Sequence, residues 1–304
     1  MKRFFICAAA AIVALASCSK TQVVYNDAPE EIGFKAVAGA VTKDPIVGTD
    51  LPTTANMVVF ASKSAEEAGP YSEYFSNVEF TWKSTYWGGT TSKYWPESGY
   101  LKFIAYYPAG IGTPVGDATG NIVISDVDAS TQPDILYTNL TDAYESAAKT
   151  TVPMAFHHAL AQVQVTAKVS DVNMTDVNVT SVVLTGAPIS GELTLTGTNA
   201  TWDDQTTGSP ITMDNTIESI DLTGDAKPLG IGTLVVPGSQ TATLTVTYTI
   251  GGLSVTTSPI DITGTWEKGK KYIYNLSIGL DEIKLTATVD NWATAGSEEN
   301  PIDL

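Results

Sequence analysis

TATLTVTYTIGGLSVTTS, residues 241–258, carries the clearest structural signal in this chain. On its first arm every second residue from Leu244 to Ile250 is apolar, and Thr fills the positions between them. This period of two is typical of a half-buried β-strand. The pair Gly251-Gly252 offers the positive φ angles that a two-residue hairpin turn needs, and the chain then returns in a second arm. The stretch therefore predicts a β-hairpin.

The same alternation continues through almost all of the chain after residue 30, and no window shows a sustained apolar stripe of helical period. Clear examples are Val163–Val169, Val177–Leu184, Lys271–Ile278 and Ile283–Val289. Gly, Pro, Asn or Asp bounds these runs, as is usual for the short strands of a sandwich. The sequence therefore predicts an all-β fold.

The length of 304 residues is sufficient for two domains of ordinary size, and one large sandwich is the alternative. The first half is rich in aromatic residues between Tyr71 and Tyr107, whereas the second half is richer in Thr and Val. We expect one short helical turn within Thr141–Lys149, just before Pro153. These features predict an N-terminal domain over residues 18–150 and a C-terminal domain over residues 151–304.

The first residues have the features of a bacterial targeting segment. Lys2 and Arg3 are followed by the unbroken apolar run Phe4–Ala14. That run is shorter than the roughly 20 apolar residues that span a membrane. Leu15–Cys18 resembles the bacterial lipobox, in which the thiol is acylated. We therefore expect a lipoprotein signal peptide over residues 1–17 and lipid attachment, such as palmitate, at Cys18.

The charge and the cysteines limit the expected partners and cross-links. The formal net charge is −17 at pH 7, and a surface of this sign repels phosphates, so no nucleic acid partner is expected. Cys7 lies in the signal peptide and Cys18 is the acylation site, which leaves no pair for a disulfide. Stability must then come from apolar burial and strand pairing.

Side chains suited to catalysis or metal binding are few. His157 and His158 are the only histidines, and neighbours in a strand face opposite sides of a sheet, so they cannot serve one site. The sequence has neither Gly-x-Ser-x-Gly nor His-Glu-x-x-His. We expect no enzyme, no catalytic residues, no metal and no cofactor. A glycoside hydrolase whose two carboxylates meet only in the fold is the third-ranked alternative.

A cluster of Trp and Tyr residues between Trp82 and Tyr107 has two interpretations. The rings either form the core of the first domain or stack on an exposed face that binds carbohydrate. The core is favoured because Leu101, Phe103 and Ala105 alternate in the same region and need large partners. Any exposed ring is a candidate glycan contact, and the residues named for this role are Trp82, Trp87 and Trp95.

Several short motifs occur in an order that is typical of one protein family. From the N-terminus they are Leu15–Cys18, Ile32–Phe34, Tyr94–Pro96, Leu101–Pro108, Pro133–Tyr137, Pro153–Ala161 and Val289–Trp292. Together they resemble the fimbrillin family, the type V pilin lipoproteins of Gram-negative anaerobes. The resemblance implies two transthyretin-like β-sandwich domains in tandem and a subunit of an adhesive surface fimbrium. It also implies a lipoprotein precursor at the outer membrane and a surface ligand on host or bacterial cells.

The family resemblance also implies an assembly mechanism, donor-strand exchange. In the family a protease removes the first strand, and an extended segment of another subunit fills the vacated groove. Here residues 18–43 would be removable, with the cut after Lys43. The leaving strand would present Ile32, Phe34, Ala36 and Ala38 on its apolar face. The donor strand, directed at other fimbrial subunits, would present Ile283, Leu285, Ala287 and Val289.

Two points of this assignment have alternatives. Two ordinary strands of the same subunit require the same alternating pattern as a leaving strand and a donor strand. The family cut usually follows Arg, whereas no Arg follows Arg3 in this chain. Either a protease that accepts Lys43 matures the subunit, or the chain stays uncut and lipid-anchored. The alternative function is a glycan-binding surface lipoprotein that uses the aromatic cluster.

Overall fold

The computed structural model describes residues 30–42, 48–117, 119–171, 173–213, 220–222, 225–230, 232–279, 283–291 and 300–302. These residues form β-strands and one 3-10 turn at Ser146–Ala148, which lies inside the segment expected to contain a helical turn. No helix among them is long and apolar enough to cross a membrane. The predicted all-β fold is confirmed.

The strands are numbered in chain order. The first eleven are β1 (Gly33–Thr42), β2 (Gly48–Asp50), β3 (Met57–Ser64), β4 (Ser72–Trp82), β5 (Trp87–Gly89), β6 (Tyr100–Tyr107), β7 (Thr113–Gly116), β8 (Ile122–Asp128), β9 (Leu136–Thr138), β10 (Tyr144–Glu145) and β11 (Val152–His158). The next eight are β12 (Ala161–Val169), β13 (Val177–Thr185), β14 (Pro188–Thr196), β15 (Asn199–Thr207), β16 (Ile211–Thr212), β17 (Ile220–Asp221), β18 (Lys227–Pro228) and β19 (Thr233–Val235). The others are β20 (Gly238–Gln240), β21 (Thr243–Ile250), β22 (Leu253–Thr256), β23 (Ile260–Asp261), β24 (Gly264–Trp266), β25 (Lys270–Ile278), β26 (Ile283–Asn291) and β27 (Asn300–Ile302).

The N-terminal half contains a sheet that curls until its ends meet. Its strand order is β10-β6-β3-β4-β5-β1-β11-β9, and β9 also pairs with β6. Within the described residues the strands β6, β3, β4, β5, β1, β11 and β9 therefore form a closed ring. In this ring β1 is parallel to β11 on one edge and antiparallel to β5 and β2 on the other.

An apolar core, here called the N-terminal core, fills this ring. Ile32, just before β1, and Phe34 of β1 belong to it together with Phe80, Trp95 and Phe103. The Phe34 ring packs edge to face against Phe80 and Phe103, with centroid distances of 4.9 and 5.1 Å. A fully buried Phe side chain stabilises a fold by about 1.5–3 kcal/mol. The first described strand is therefore a central part of this core.

The C-terminal half is a sandwich of two facing sheets. One sheet has the order β18-β12-β25-β26-β27, and the other has the order β16-β13-β21-β22. The C-terminal core between them contains Val163 and Val165 from β12 and Val182 and Val246 from the opposite sheet. The predicted hairpin is the antiparallel pair β21–β22, and Gly251 and Gly252 in its turn have φ of +54° and +80°.

A third sheet, of order β15-β14-β8-β7, joins the two halves. Its strands β7 and β8 come from the first half, whereas β14 and β15 come from the second. Ile122, Ile124 and Leu193 of this sheet pack against Phe60 and Ile104 on the outer face of the N-terminal ring. The two halves therefore share both a sheet and an apolar core.

The predicted domain boundary after residue 150 separates strands that pair with each other. Strand β11 begins at Val152, yet it pairs with β1 and β9 of the N-terminal ring. Residues 152–158 alternate as a strand does, but the period of two does not say which strand is its partner. The division into two domains stays a prediction, and the strand pairing crosses its expected boundary.

Candidate functional site

Several predicted site residues lie outside the described residues. They include the acylation site Cys18, the cleavage site Lys43 and the last residue of the closing motif, Trp292. For Ala38 the structure gives the backbone pairing, opposite Phe156 of β11, but not the side-chain environment. Lipid attachment and proteolytic maturation therefore stay predictions.

The apolar face at the start of β1 is the best-buried part of the predicted leaving strand. The side chains of Ile32 and Phe34 are fully buried and that of Ala36 is buried, whereas Lys35 between them is exposed. The apolar residues of this strand therefore face inward, as the sequence predicted. Gly33 allows the Tyr86 ring to pack on the outer face, since a Cβ at Gly33 would lie 2.7 Å from that ring.

Hydrogen bonds hold the beginning of β1 in place. The backbone N–H of Ile32 donates to Lys93 O at 2.7 Å, and that of Trp95 donates to Glu30 O at 2.9 Å. Farther along, β1 is paired with β11 from Phe34 to Ala38. Removing β1 would leave strand edges unpaired and would uncover the aromatic wall of the N-terminal core.

Strand β26, the predicted donor, lies in the sandwich of its own chain. It pairs with β25 along its whole length, from Ile283 opposite Ile278 to Asn291 opposite Lys270. On its other edge the described partner is the short β27, which reaches from Ala287 to Val289. This arrangement corresponds to the ordinary-strand interpretation of the pattern, and donation to another subunit stays a prediction.

The apolar face of β26 is less buried than that of β1. Ala287 is buried, whereas Ile283, Leu285 and Val289 are partly buried against the C-terminal core. Lys284 and Thr286 on the opposite face are exposed. The strand thus has the predicted alternation but is held more weakly by apolar contacts.

The three Trp residues named as glycan contacts do not form one exposed platform. Trp87 and Trp95 are 1% and 4% exposed and belong to the N-terminal core. Trp87 of β5 is the cross-strand partner of Phe34, and Trp95, outside the strands, packs edge to face on Phe103 at a centroid distance of 6.0 Å. The platform interpretation is therefore wrong for these two rings. Trp82 is 39% exposed and lies against Trp87, with a centroid distance of 5.9 Å.

The two histidines face opposite sides of their strand, as the alternation predicted. His157 is exposed and His158 is buried at the end of β11. The Nδ1 atom of His158 lies 2.9 Å from Asp134 Oδ1, within hydrogen-bonding distance. In the part of the chain that the structure describes, no group of three or more His, Cys, Asp or Glu side chains is arranged to hold a metal ion.

Comparisons with known proteins agree on one relationship. A sequence model of a family described as fimbrillin-like matches residues 46–292. No curated protein matches the chain.

Solved structures with the same fold include three from Bacteroides species. A proposed cell adhesion protein of Bacteroides ovatus has 15% identity and a TM-score of 0.60, with coverage of 88% of this chain and 100% of that one. A fimbrial protein of Bacteroides vulgatus has 17% identity and a TM-score of 0.55, with coverage of 86% and 99%. A proposed cell adhesion protein of Bacteroides uniformis has 17% identity and a TM-score of 0.54, again with 86% and 99% coverage. At these identities the likeness concerns the fold.

Proposed function

Because the chain belongs to the fimbrillin-like family, we propose that it is an adhesive subunit of a surface fimbrium, assembled by donor-strand exchange between subunits. The role is structural, and the partners are other fimbrial subunits. Cys18 would carry the lipid that holds the precursor at the outer membrane, and a protease would release β1 by cutting after Lys43.

The observation that carries this proposal is the position of β1. It is the first strand of the described chain, its apolar face completes the N-terminal core, and Lys43 follows its last residue, Thr42. One cut at that point would detach an entire central strand without touching the rest of the ring. A strand in this position could leave the N-terminal core as one segment.

The vacated groove would favour uptake of a new strand for two physical reasons. Ile32 and Phe34 each contribute burial worth about 1.5–3 kcal/mol, which the groove regains from any strand with matching side chains. The edge of β11 would also regain its main-chain hydrogen bonds, as in other cases of strand addition. Both gains require apolar side chains at every second position of the incoming strand.

Strand β26 has this pattern in Ile283, Leu285, Ala287 and Val289. Its outer edge is covered by the three-residue β27 in the described structure, and most of its apolar face is only partly buried. These features support β26 as the segment that leaves its own sandwich most easily. In the fimbrium it would occupy the groove left by β1 of the next subunit.

The proposal can be tested with two purified forms of the protein. The form that begins at Asp44 should assemble into ladders that resist mild heating in detergent, whereas the form that begins at Cys18 should stay monomeric. Equal behaviour of the two forms would overturn the assembly mechanism.

A matched pair of substitutions in β26 tests the donor. In the form that begins at Asp44, Leu285→Glu should prevent ladder formation because it places a charge on the apolar face. Thr286→Glu changes the exposed face and should leave the ladders intact. Ladders that persist with Leu285→Glu would exclude β26 as the donor.

Mass spectrometry of the N-terminus on intact cells tests maturation itself. We expect a new N-terminus at Asp44 in assembled material and acylated Cys18 in the precursor. A surface pool that retains residues 18–43 in assembled fibres would contradict cleavage as the trigger.

A further inference from the structure

Strand β22 of the C-terminal sandwich is an edge strand with an open outer side. It is the last strand of the sheet β16-β13-β21-β22, and within the residues that the structure describes it pairs only with β21. All four of its residues, Leu253–Thr256, are exposed. Proteins usually protect such an edge with a charge, a Pro or a covering segment. This edge carries neither a charge nor a Pro.

The hydrogen-bond register shows which main-chain groups of β22 face the open side. In an antiparallel pair, residues that bond to the partner strand alternate with residues that point away from it. The backbone N–H of Thr257, just after β22, donates to Val246 O of β21 at 2.9 Å. Every second residue before Thr257 therefore turns its main-chain groups toward β21. The N–H and C=O groups of Ser254 and Thr256 point to the open side.

The inner face of β22 continues the C-terminal core into solvent. Val255 lies opposite Tyr248 of β21, and Leu253 lies opposite Ile250. Residues opposite one another share a face of the sheet, and Tyr248 belongs to the C-terminal core. Leu253 and Val255 are nevertheless 72% and 36% exposed. Two apolar side chains therefore stand uncovered beside the open main-chain groups.

The facing sheet extends one strand farther on this side. Five residues connect β17, which pairs with β13, to β18, which pairs with β12, so these two edges lie next to one another. Counting across the sheets from there places β13 over β12, β21 over β25 and β22 over β26. Among the described strands, β27 then has none over it. One added strand fits beside β22 and over β27, whereas a second copy that paired its own β22 there would bring its β26 onto β27.

The charge of this region favours an uncharged strand. No Asp, Glu, Lys or Arg occurs from residue 228 to residue 260, although the chain carries 16 basic and 33 acidic residues. A charged side chain that entered between β22 and the partly buried apolar face of β26 would lose water without gaining a partner of opposite charge from this segment. Apolar side chains at every second position of the added strand would instead cover the exposed ones.

We propose that β22 binds one extended, uncharged peptide segment of another protein chain by strand addition. The segment pairs with the main-chain groups of Ser254 and Thr256 and places its apolar side chains on Leu253 and Val255. The site is separate from the groove of β1, and it requires neither cleavage nor donation of β26. It therefore stands or falls separately from the assembly mechanism.

The test uses the purified, uncleaved chain and a fluorescently labelled peptide with a Gly-Ser tail. The peptide copies residues 243–250, TLTVTYTI, the uncharged strand that already pairs with the inner side of β22. Fluorescence polarisation should show saturable binding of this peptide. The same peptide with Val246→Lys and Tyr248→Lys should not bind, because it would place charges on the apolar side chains of β22. Absence of binding by the first peptide, or equal binding by both, would overturn the proposal.

A matched pair of substitutions tests the main-chain contact. Ser254→Pro removes one outward N–H, at a position where an edge strand tolerates Pro, and should weaken binding of the peptide by about tenfold or more. Ser254→Ala keeps the N–H and should bind as the unchanged chain does. Leu253→Lys, which changes the apolar contact instead, should weaken binding as well. Equal binding by Ser254→Pro and Ser254→Ala would overturn the proposal.

Thermal unfolding and sedimentation separate the proposal from its alternatives. The Tm of Ser254→Pro should lie within a few degrees of that of Ser254→Ala. A Tm lowered by much more would mean that the N–H of Ser254 is paired inside the fold, and this would overturn the proposal. Sedimentation should show an uncleaved chain that stays monomeric. A dimer that is lost in Ser254→Pro would assign the edge to a second copy and would overturn the proposal too.

Discussion

Strands β1 and β26 have the same alternating pattern but are held in different ways. β1 has partners on both edges and turns fully buried Ile32 and Phe34 into the N-terminal core. β26 has one full-length partner, a three-residue partner on its other edge, and an apolar face that is mostly half-buried. The comparison teaches that alternation defines a face, whereas the neighbouring strands determine how firmly that face is held. In the described structure β1 is therefore the more firmly held of the two strands.

The largest loss of stability is expected from substitution of Phe34. In the uncleaved chain Phe34→Ala should lower the free energy of unfolding by about 3–5 kcal/mol, because it leaves a cavity between Phe80 and Phe103. Denaturant unfolding measures this loss. Lys35→Ala, on the exposed face of the same strand, should change stability by less than about 0.5 kcal/mol. A similar loss in both variants would show that β1 is not anchored by its inner face.

Substitution of Gly33, on the outer face of β1, should lower the stability of the protein. Gly33→Ala places a Cβ 2.7 Å from the Tyr86 ring, and overpacking of this kind costs about 1–3 kcal/mol. Gly264→Ala is the matched control, since its Cβ would meet open space. If Gly33→Ala proves as stable as Gly264→Ala in denaturant unfolding, the Tyr86 ring is free to move away and does not hold β1.

A smaller loss of stability is expected from substitution on the apolar face of β26. Leu285 is partly buried, so Leu285→Ala should cost about 1–2 kcal/mol, below the range for fully buried leucines. Thr286→Ala serves as its control. Should the loss at Leu285 equal or exceed that at Phe34 in the same unfolding measurement, β26 would be the more firmly held strand.

Hydrogen exchange compares the two strands without substitution. The amides of β26 should exchange about tenfold faster than those of β1, because local opening of a weakly covered strand requires less free energy than opening the closed ring. Exchange followed by mass spectrometry of the uncleaved chain gives both rates. Slower exchange in β26 than in β1 would reverse the comparison.

The sequence could predict faces and turns but not partners. The hairpin at residues 241–258 follows from alternation and the Gly-Gly pair, and the inward turn of Phe34 follows from alternation alone. The parallel pairing of β1 with β11 and the sheet that joins β8 to β14 were not predictable, since a period of two carries no information on which edges meet. The same limit explains why pairing crosses residue 150.

Part of the candidate sites also lay beyond the reach of the sequence. Trp87 and Trp95 belong to the core because of the strands that surround them, whereas their residue type alone also fitted a glycan surface.

The sheet shared by the two halves has a mechanical consequence. Tension that enters through the N-terminal ring and leaves through the C-terminal sandwich must pass through the pairing of β8 with β14 and the apolar layer behind it. Separating the halves would require breaking these hydrogen bonds together with that layer. Within the described residues the two halves are joined by more than a connecting segment, so a force that pulls them apart would load strand pairing and apolar packing at the same time.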